Sequence, residues 1–362
     1  MPSDAPPPRG SRGGRSSRNA APSRSGGVWG AVVDHTKQAK KVAAETGKGD
    51  SNVIVMGSKG AGKSSVVLKF LGSERAGGES KPTMGLDYCF ARRAGGADME
   101  KKVSHIWELG GGEDQADLID AVVTPENLRN NFVAVIVVDL SKPGSVLATV
   151  TFWIERLRAR VEHCLRVMAE KRSTLPERLR ERSRVAFGAA HEDAELVSLS
   201  PIPIVLCAAQ WDTFEAQDAE YRKIMSRTLR FVAHVNGASL AFTSSHDNKG
   251  MRALLGHELF GAPRPEKAVV DHNRALLVAA GGDQISQIGA PPRARGGGSD
   301  GRPLDLYRAA FVEYFPSEEE HGDDVVEDSS SSGQFGEPAV DAMVEEKKQL
   351  LQRYRADADH KK

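Results

Sequence analysis

A chain of 362 residues has room for one large domain or two ordinary ones, with a real core in either case. Its 49 lysines and arginines balance 49 aspartates and glutamates, so overall charge gives no case for nucleic acid or an anionic membrane as the main partner. Cys89, Cys164 and Cys207 lack disulfide or zinc spacing and no stretch approaches the roughly 20 apolar residues of a membrane span, so a soluble intracellular protein without membrane insertion is expected.

Residues 1–27 are rich in Arg, Ser, Pro and Gly and nearly devoid of large apolar side chains. Such a segment cannot offset its ordering entropy, so a disordered basic tail is expected, with an organelle-targeting peptide as the alternative. The opening Met-Pro and the closing "ADHKK" signal neither myristoylation nor prenylation. Val28, Val32, His35, Ala39 and Val42 then predict a short amphipathic helix. Strands are predicted at 52–56, 86–92, 103–108, 132–139, 202–208 and 239–243, with helices over 63–71, 146–183 and 218–235. The continuous apolar runs "FVAVIVVDL" and "IPIVLCAA" suit central strands of a parallel sheet covered on both faces. The alternation predicts an α/β domain doubly wound around a mostly parallel sheet; the phosphate motif and the boxes resembling small GTPases, given below, add the expectation of a Ras-like P-loop fold over 28–315.

About sixty residues separate the strands at 132–139 and 202–208, far more than the usual ~2–6 of an α/β loop. They predict a helical insertion whose Phe152, Leu157, Val161, Leu165 and Met168 pack on the sheet. A docking face and a thicker helical layer are both open readings of it. An acidic, Ser-rich linker follows at 316–338, and a C-terminal helix within 339–362 aligns Val340, Met343, Leu350 and Tyr354, interrupted by Lys347.

Gly57, Ser58, Lys59, Gly60, Ala61, Gly62, Lys63 and Ser64 fill every fixed position of G-x-x-x-x-G-K-[ST], between a predicted strand and a predicted helix. Glycines let backbone N–H groups turn toward phosphate oxygens, and the helix start adds its positive end. Lys63 is expected on the outer phosphates and Ser64 on Mg²⁺. Lys59 is either a further phosphate contact or, the reading preferred here, a solvated side chain. Ser65 completes the expected nucleotide-binding run.

Downstream stretches resemble the boxes of small GTPase domains, with departures. Thr83 in "KPTMGLDY" stands where a threonine senses Mg²⁺ and the terminal phosphate. In "WELGGG", Glu108 stands in place of the usual aspartate on Mg²⁺, and Gly111 where a backbone N–H meets the γ-phosphate. Gly112 occupies the position of the glutamine that orients the attacking water, with Glu113 and Gln115 as displaced substitutes. A holder of nucleotide rather than a useful hydrolase is therefore expected. "AAQWD" retains only Asp212 of the guanine-reading N-K-x-D box, Ala209 and Gln210 replacing Asn and Lys; "FTSS" at 242–245 adds backbone near the base. The residues leave GDP or GTP and ADP or ATP open as the nucleotide.

Six stretches carry a sharper likeness: "SKGAGKSSVVLKFL", "KPTMGLDYCFARR", "HIWELGGG", "VDLSKP", "TLRFVAHVNGASLAFTSS" and "AGGDQISQIGAPP". Together they resemble the dynein light intermediate chain family, on its cytoplasmic dynein-2 side, across 28–315 and part of the tail. The resemblance implies a non-catalytic accessory subunit that binds and stabilises the dynein-2 heavy chain alongside other dynein-2 subunits. It implies a role in retrograde intraflagellar transport and cilium assembly, linked indirectly to microtubules and transport trains. The implied location is the cytoplasm and the cilium, with its axoneme and basal body. The segment 271–315, superfluous in a minimal GTPase, is expected to share in heavy-chain contact. A cycling GTPase switch is the alternative, and a P-loop kinase finds no substrate or lid constellation here.

Overall fold

The computed structural model describes residues 50–72, 83–93, 102–291 and 303–316, together with Ala342, Met343, Glu346, Lys347 and Gln349. The basic tail at 1–27, the helix expected over 28–42, and nearly all of the acidic linker and C-terminal helix lie outside the described residues. The chain divides into two contact units, 1–314 and 315–362. In the second, the five positions between 342 and 349 are helical and exposed, Met343 of the expected stripe among them.

In the first unit the apolar runs pair into a seven-stranded sheet. Its strands are β1 (Ser51–Gly57), β2 (Leu86–Arg93), β3 (Lys102–Leu109), β4 (Asn131–Asp139), β5 (Ile204–Ala209), β6 (Ser239–Phe242) and β7 (Leu277–Val278). The order is β2-β3-β1-β4-β5-β6-β7. Pairings from β3 through β6 are parallel, and the edge strands β2 and β7 are antiparallel to β3 and β6. The expected mostly parallel sheet is present, and all six predicted strands form. β7 was not predicted, because two residues carry no periodicity to read.

The longer helices are α1 (Lys63–Leu71), α2 (Pro143–Glu170), α3 (Leu175–Phe187), α4 (Ala219–Val235), α5 (Lys249–Phe260) and α6 (Pro303–Tyr314). Alternate side chains of the strands meet different layers. Val53, Val55, Val133, Val135, Val205 and Cys207 pack with Val66 and Val67 of α1 and Met251, Leu254, Leu255 and Leu259 of α5. α2 lies on β1 and β4, and α4 on β6.

Two helical expectations are corrected. The single helix over 146–183 is two, α2 and α3, because Arg172 turns left-handed at φ 54 and Pro176 opens the first turn of α3, where its missing N–H costs nothing. Leu157, Val161, Leu165 and Met168 are buried as expected, but Phe152 is only half-buried, and the stripe continues instead through Trp153, Val150 and Val146 at the 3.6-residue rhythm. The insertion thus forms a helical layer on the sheet.

The segment after the sixth strand is built into the domain. Leu277 and Val278 extend the sheet, and Asp283 forms a two-pronged ion pair with Arg230 of α4 at 2.6 and 2.7 Å, both side chains buried. Asp193 accepts from His234 Nε2 of α4 and from the Ile285 N–H, each at 2.9 Å. Tyr307 of α6 stacks on Phe231 of α4 with ring centres 4.4 Å apart.

Candidate functional site

β1 delivers the chain to the loop at Gly57. A Cβ there would stand 2.0 Å from the Val137 carbonyl oxygen, so only glycine lets β1 run this close to β4 at its last residue. The loop closes with Gly62 left-handed (φ 87) at the start of α1. No side chain caps that helix, and its first turn holds no acid, so its positive end is left to an anion.

Lys63 is 6% exposed and lies beneath the loop, its Nζ donating to the carbonyls of Gly57 (3.0 Å) and Ser58 (2.7 Å). Burial pushes its pKa down, and the Glu108 carboxylate works in the opposite direction. Both hydrogen-bond partners are neutral, so a phosphate over the loop would supply the opposite charge the ammonium favours. Lys59 is exposed, in keeping with a solvated side chain, and Ser65 is exposed on the outer side of α1. Ser58 bonds to the buried Thr149 of α2 at 3.0 Å between hydroxyl oxygens. Sequence reasoning missed Thr149, which lies 91 residues from its partner with no local signal to mark it.

The three residues expected around Mg²⁺ come together. Glu108, buried on β3, accepts at one oxygen, Oε1, from Ser64 Oγ at 2.5 Å and Thr83 Oγ1 at 3.0 Å. Two hydroxyls and a carboxylate are the hard oxygen donors that Mg²⁺ takes, so the set fits the ion chemically, and Ser64, Thr83 and Glu108 are the residues that would hold it. Thr83 is drawn in by backbone packing. Gly110 N–H donates to Gly85 O at 2.6 Å, and a Cβ on Gly110 would come within 2.1 Å of Thr83 O.

Gly112 is buried at φ 65, and a Cβ on it would stand 3.0 Å from the backbone nitrogen of Lys59. A side chain at this position would press on the phosphate loop itself. Of the two displaced substitutes, Glu113 is exposed. Gln115 folds back over Gly111, its Oε1 buried without a hydrogen-bond partner.

On the base side, Ala209 lies near the loop, 3.9 Å from where a Cβ on Gly62 would be, and Gln210 adopts a left-handed φ of 65. Asp212 Oδ2 accepts from Ser245 Oγ at 2.6 Å, while Oδ1 is buried without a partner. The Ser245 hydroxyl holds the Asp212 pKa below its ordinary 3.8. One carboxylate oxygen is thus without a partner, and the other is already engaged. Lys69 Nζ reaches Ser244 O at 3.0 Å and fastens this serine loop to α1.

An open phosphate loop on a doubly wound sheet, with Ser64, Thr83 and Glu108 gathered at its mouth, defines a P-loop α/β domain of Ras-like architecture. The domain also resembles a crystal structure of the conserved domain of a dynein light intermediate chain, with TM-score 0.54 and 16% identity, over 74% of this chain and 91% of that one. The sequence model described as "Dynein light intermediate chain (DLIC)" matches residues 26–202. Similar relatives include "Cytoplasmic dynein 2 light intermediate chain 1" of Bos taurus, 34% identical over 85% of this chain and 88% of that protein. The protein of the same name in Danio rerio is 35% identical over 84% of this chain and 85% of its own length. "Cytoplasmic dynein 1 light intermediate chain 1" of Homo sapiens is 24% identical over 72% of this chain and 55% of that protein. The chain belongs to the dynein light intermediate chain family.

Proposed function

We propose that the chain is a non-catalytic accessory subunit of the cytoplasmic dynein-2 motor. It binds and stabilises the dynein-2 heavy chain, in company with the other subunits, for retrograde intraflagellar transport and cilium assembly. Its place is then the cytoplasm and the cilium. The phosphate loop holds a nucleotide that stiffens the fold, a ligand of the native state stabilising it by RT ln(1 + [L]/Kd).

The observation that carries the non-catalytic reading is Gly112, buried and left-handed where a water-orienting glutamine would be needed. Even with that glutamine, unaided Ras-type turnover is only on the order of 10⁻⁴ per second. The subunit role is supported by the printed names of the dynein-2 relatives, which span most of this chain. Affinity capture of the tagged chain from ciliated cells tests it. The expected result is a dynein-2 heavy chain in near-stoichiometric amount, and capture without any dynein heavy chain would reject the assignment.

A cycling GTPase is the second reading, favoured by the convergence of Ser64 and Thr83 on Glu108. It requires the terminal phosphate to change the position of Thr83. Similar hydrogen exchange at 83–93 with diphosphate and triphosphate would count against it.

A further inference from the structure

β2 is the outermost strand on its side of the sheet, and its two faces differ sharply. Cys89 and Ala91 pack inward against the core that α1 and α5 cover. Tyr88, Phe90 and Arg92 point the other way, opposite Trp107, His105 and Val103 of β3. These side chains form an ordered ladder. Tyr88 lies 4.8 Å from the Trp107 ring, bonds His105 Nδ1 through its hydroxyl at 2.7 Å, and Arg92 sits 4.8 Å over Phe90. Cover thins outward along this face: Ile54, the β1 partner of Trp107, is 0% exposed, whereas Tyr88 and Phe90 are 44% and 48% exposed. Met84, 47% exposed, continues the patch beyond the strand.

An aromatic ladder packed side to side yet uncovered is a docking face. The chain enters the fold beside it. Asp50, immediately ahead of β1, accepts the Val103 N–H at 3.3 Å and lies 3.9 Å from His105 Nε2. The sequence leading into Asp50 is "VWGAVVDHTKQAKKVAAET", residues 28–46, followed by Gly47-Lys48-Gly49. Two glycines in three residues permit a sharp reversal. As a helix those nineteen residues would be roughly 28 Å long, against about 26 Å for the eight residues of β2. Val28, Val32, His35, Ala39 and Val42 would form the apolar stripe.

We propose that residues 28–46 fold back as an amphipathic helix onto the Tyr88–Phe90–Trp107 face of β2 and β3, capping the exposed side of the sheet next to Thr83 and Glu108. The short tether favours this occupant over a second copy or a separate protein, since a link of a few residues gives millimolar effective concentration. The inference rests on neither the nucleotide nor the motor reading.

Iodide quenching of the full-length chain tests it. Trp29→Phe removes the tryptophan of the docking segment, and Trp153 and Trp211 are buried, which leaves Trp107 as the quenchable reporter. In that background Val32→Asp should raise the quenching constant clearly. Phe90→Glu in the otherwise native chain should speed hydrogen exchange of residues 28–46 by at least about tenfold, with exchange in α5 unchanged as the folding control. Equal quenching with and without Val32→Asp, or exchange over 28–46 indifferent to Phe90→Glu, would overturn the proposal. Protection that fades on dilution together with a dimer mass would overturn it in favour of a second copy, and protection that appears only when another protein is added would overturn it in favour of a partner.

Discussion

Gly112 shows how a single position limits what a phosphate site can do. The space its side chain would need is taken by the Lys59 backbone, and its φ of 65 is one that L side chains rarely adopt. Gly112→Gln is therefore expected to cost about 1–3 kcal/mol in stability, read as a lower unfolding midpoint in urea, and to yield no gain in phosphate release. A faster hydrolase of native stability would show that the loop can accommodate the missing glutamine. Asp212 makes a second residue-scale prediction. Its pKa is depressed chiefly by the Ser245 hydroxyl, so its contribution to stability is present above its ordinary pKa and is lost as pH falls through the lower, folded value. Ser245→Ala should bring the Asp212 carboxyl titration back toward 3.8 in an NMR pH series, and an unchanged titration would remove the hydroxyl as the cause. Lys63, Ser64, Thr83 and Glu108 were legible in the sequence because motif spacing fixes them on adjoining elements. Thr149 and Ser245 were not legible as partners of Ser58 and Asp212, since only the fold brings them near.

At the scale of elements, strand reading succeeded where apolar runs were long and flanked by turns, as in β1 and β4. It failed where length or composition erased the pattern. β7 has two residues, and α5, "KGMRALLGHELF", carries two glycines that weaken helix propensity yet is held by Leu254, Leu255 and Leu259 in the core. The continuous pattern over 146–183 concealed the break that Arg172 and Pro176 impose. Asp283 anchors the first part of the 271–315 segment to Arg230 of α4. Asp283→Ala leaves a buried guanidinium without its carboxylate and should destabilise the domain by about 3–5 kcal/mol in urea unfolding. A loss below about 1 kcal/mol would mean that the pair is solvated or replaceable.

For the whole molecule, the family assignment and the pocket chemistry point the same way. The sheet, phosphate loop and oxygen cluster suit the nucleotide proposed for them, and the position where a glutamine would orient water holds the buried Gly112. The most direct measurement is nucleotide occupancy and phosphate release on the same recombinant preparation. Released nucleotide is counted after denaturation, and phosphate is followed with GTP and with ATP. The account predicts bound nucleotide, lost by at least about tenfold in affinity in Lys63→Ala, with phosphate release no faster than the order of 10⁻⁴ per second. Saturable release orders of magnitude faster, abolished by Lys63→Ala, would contradict it.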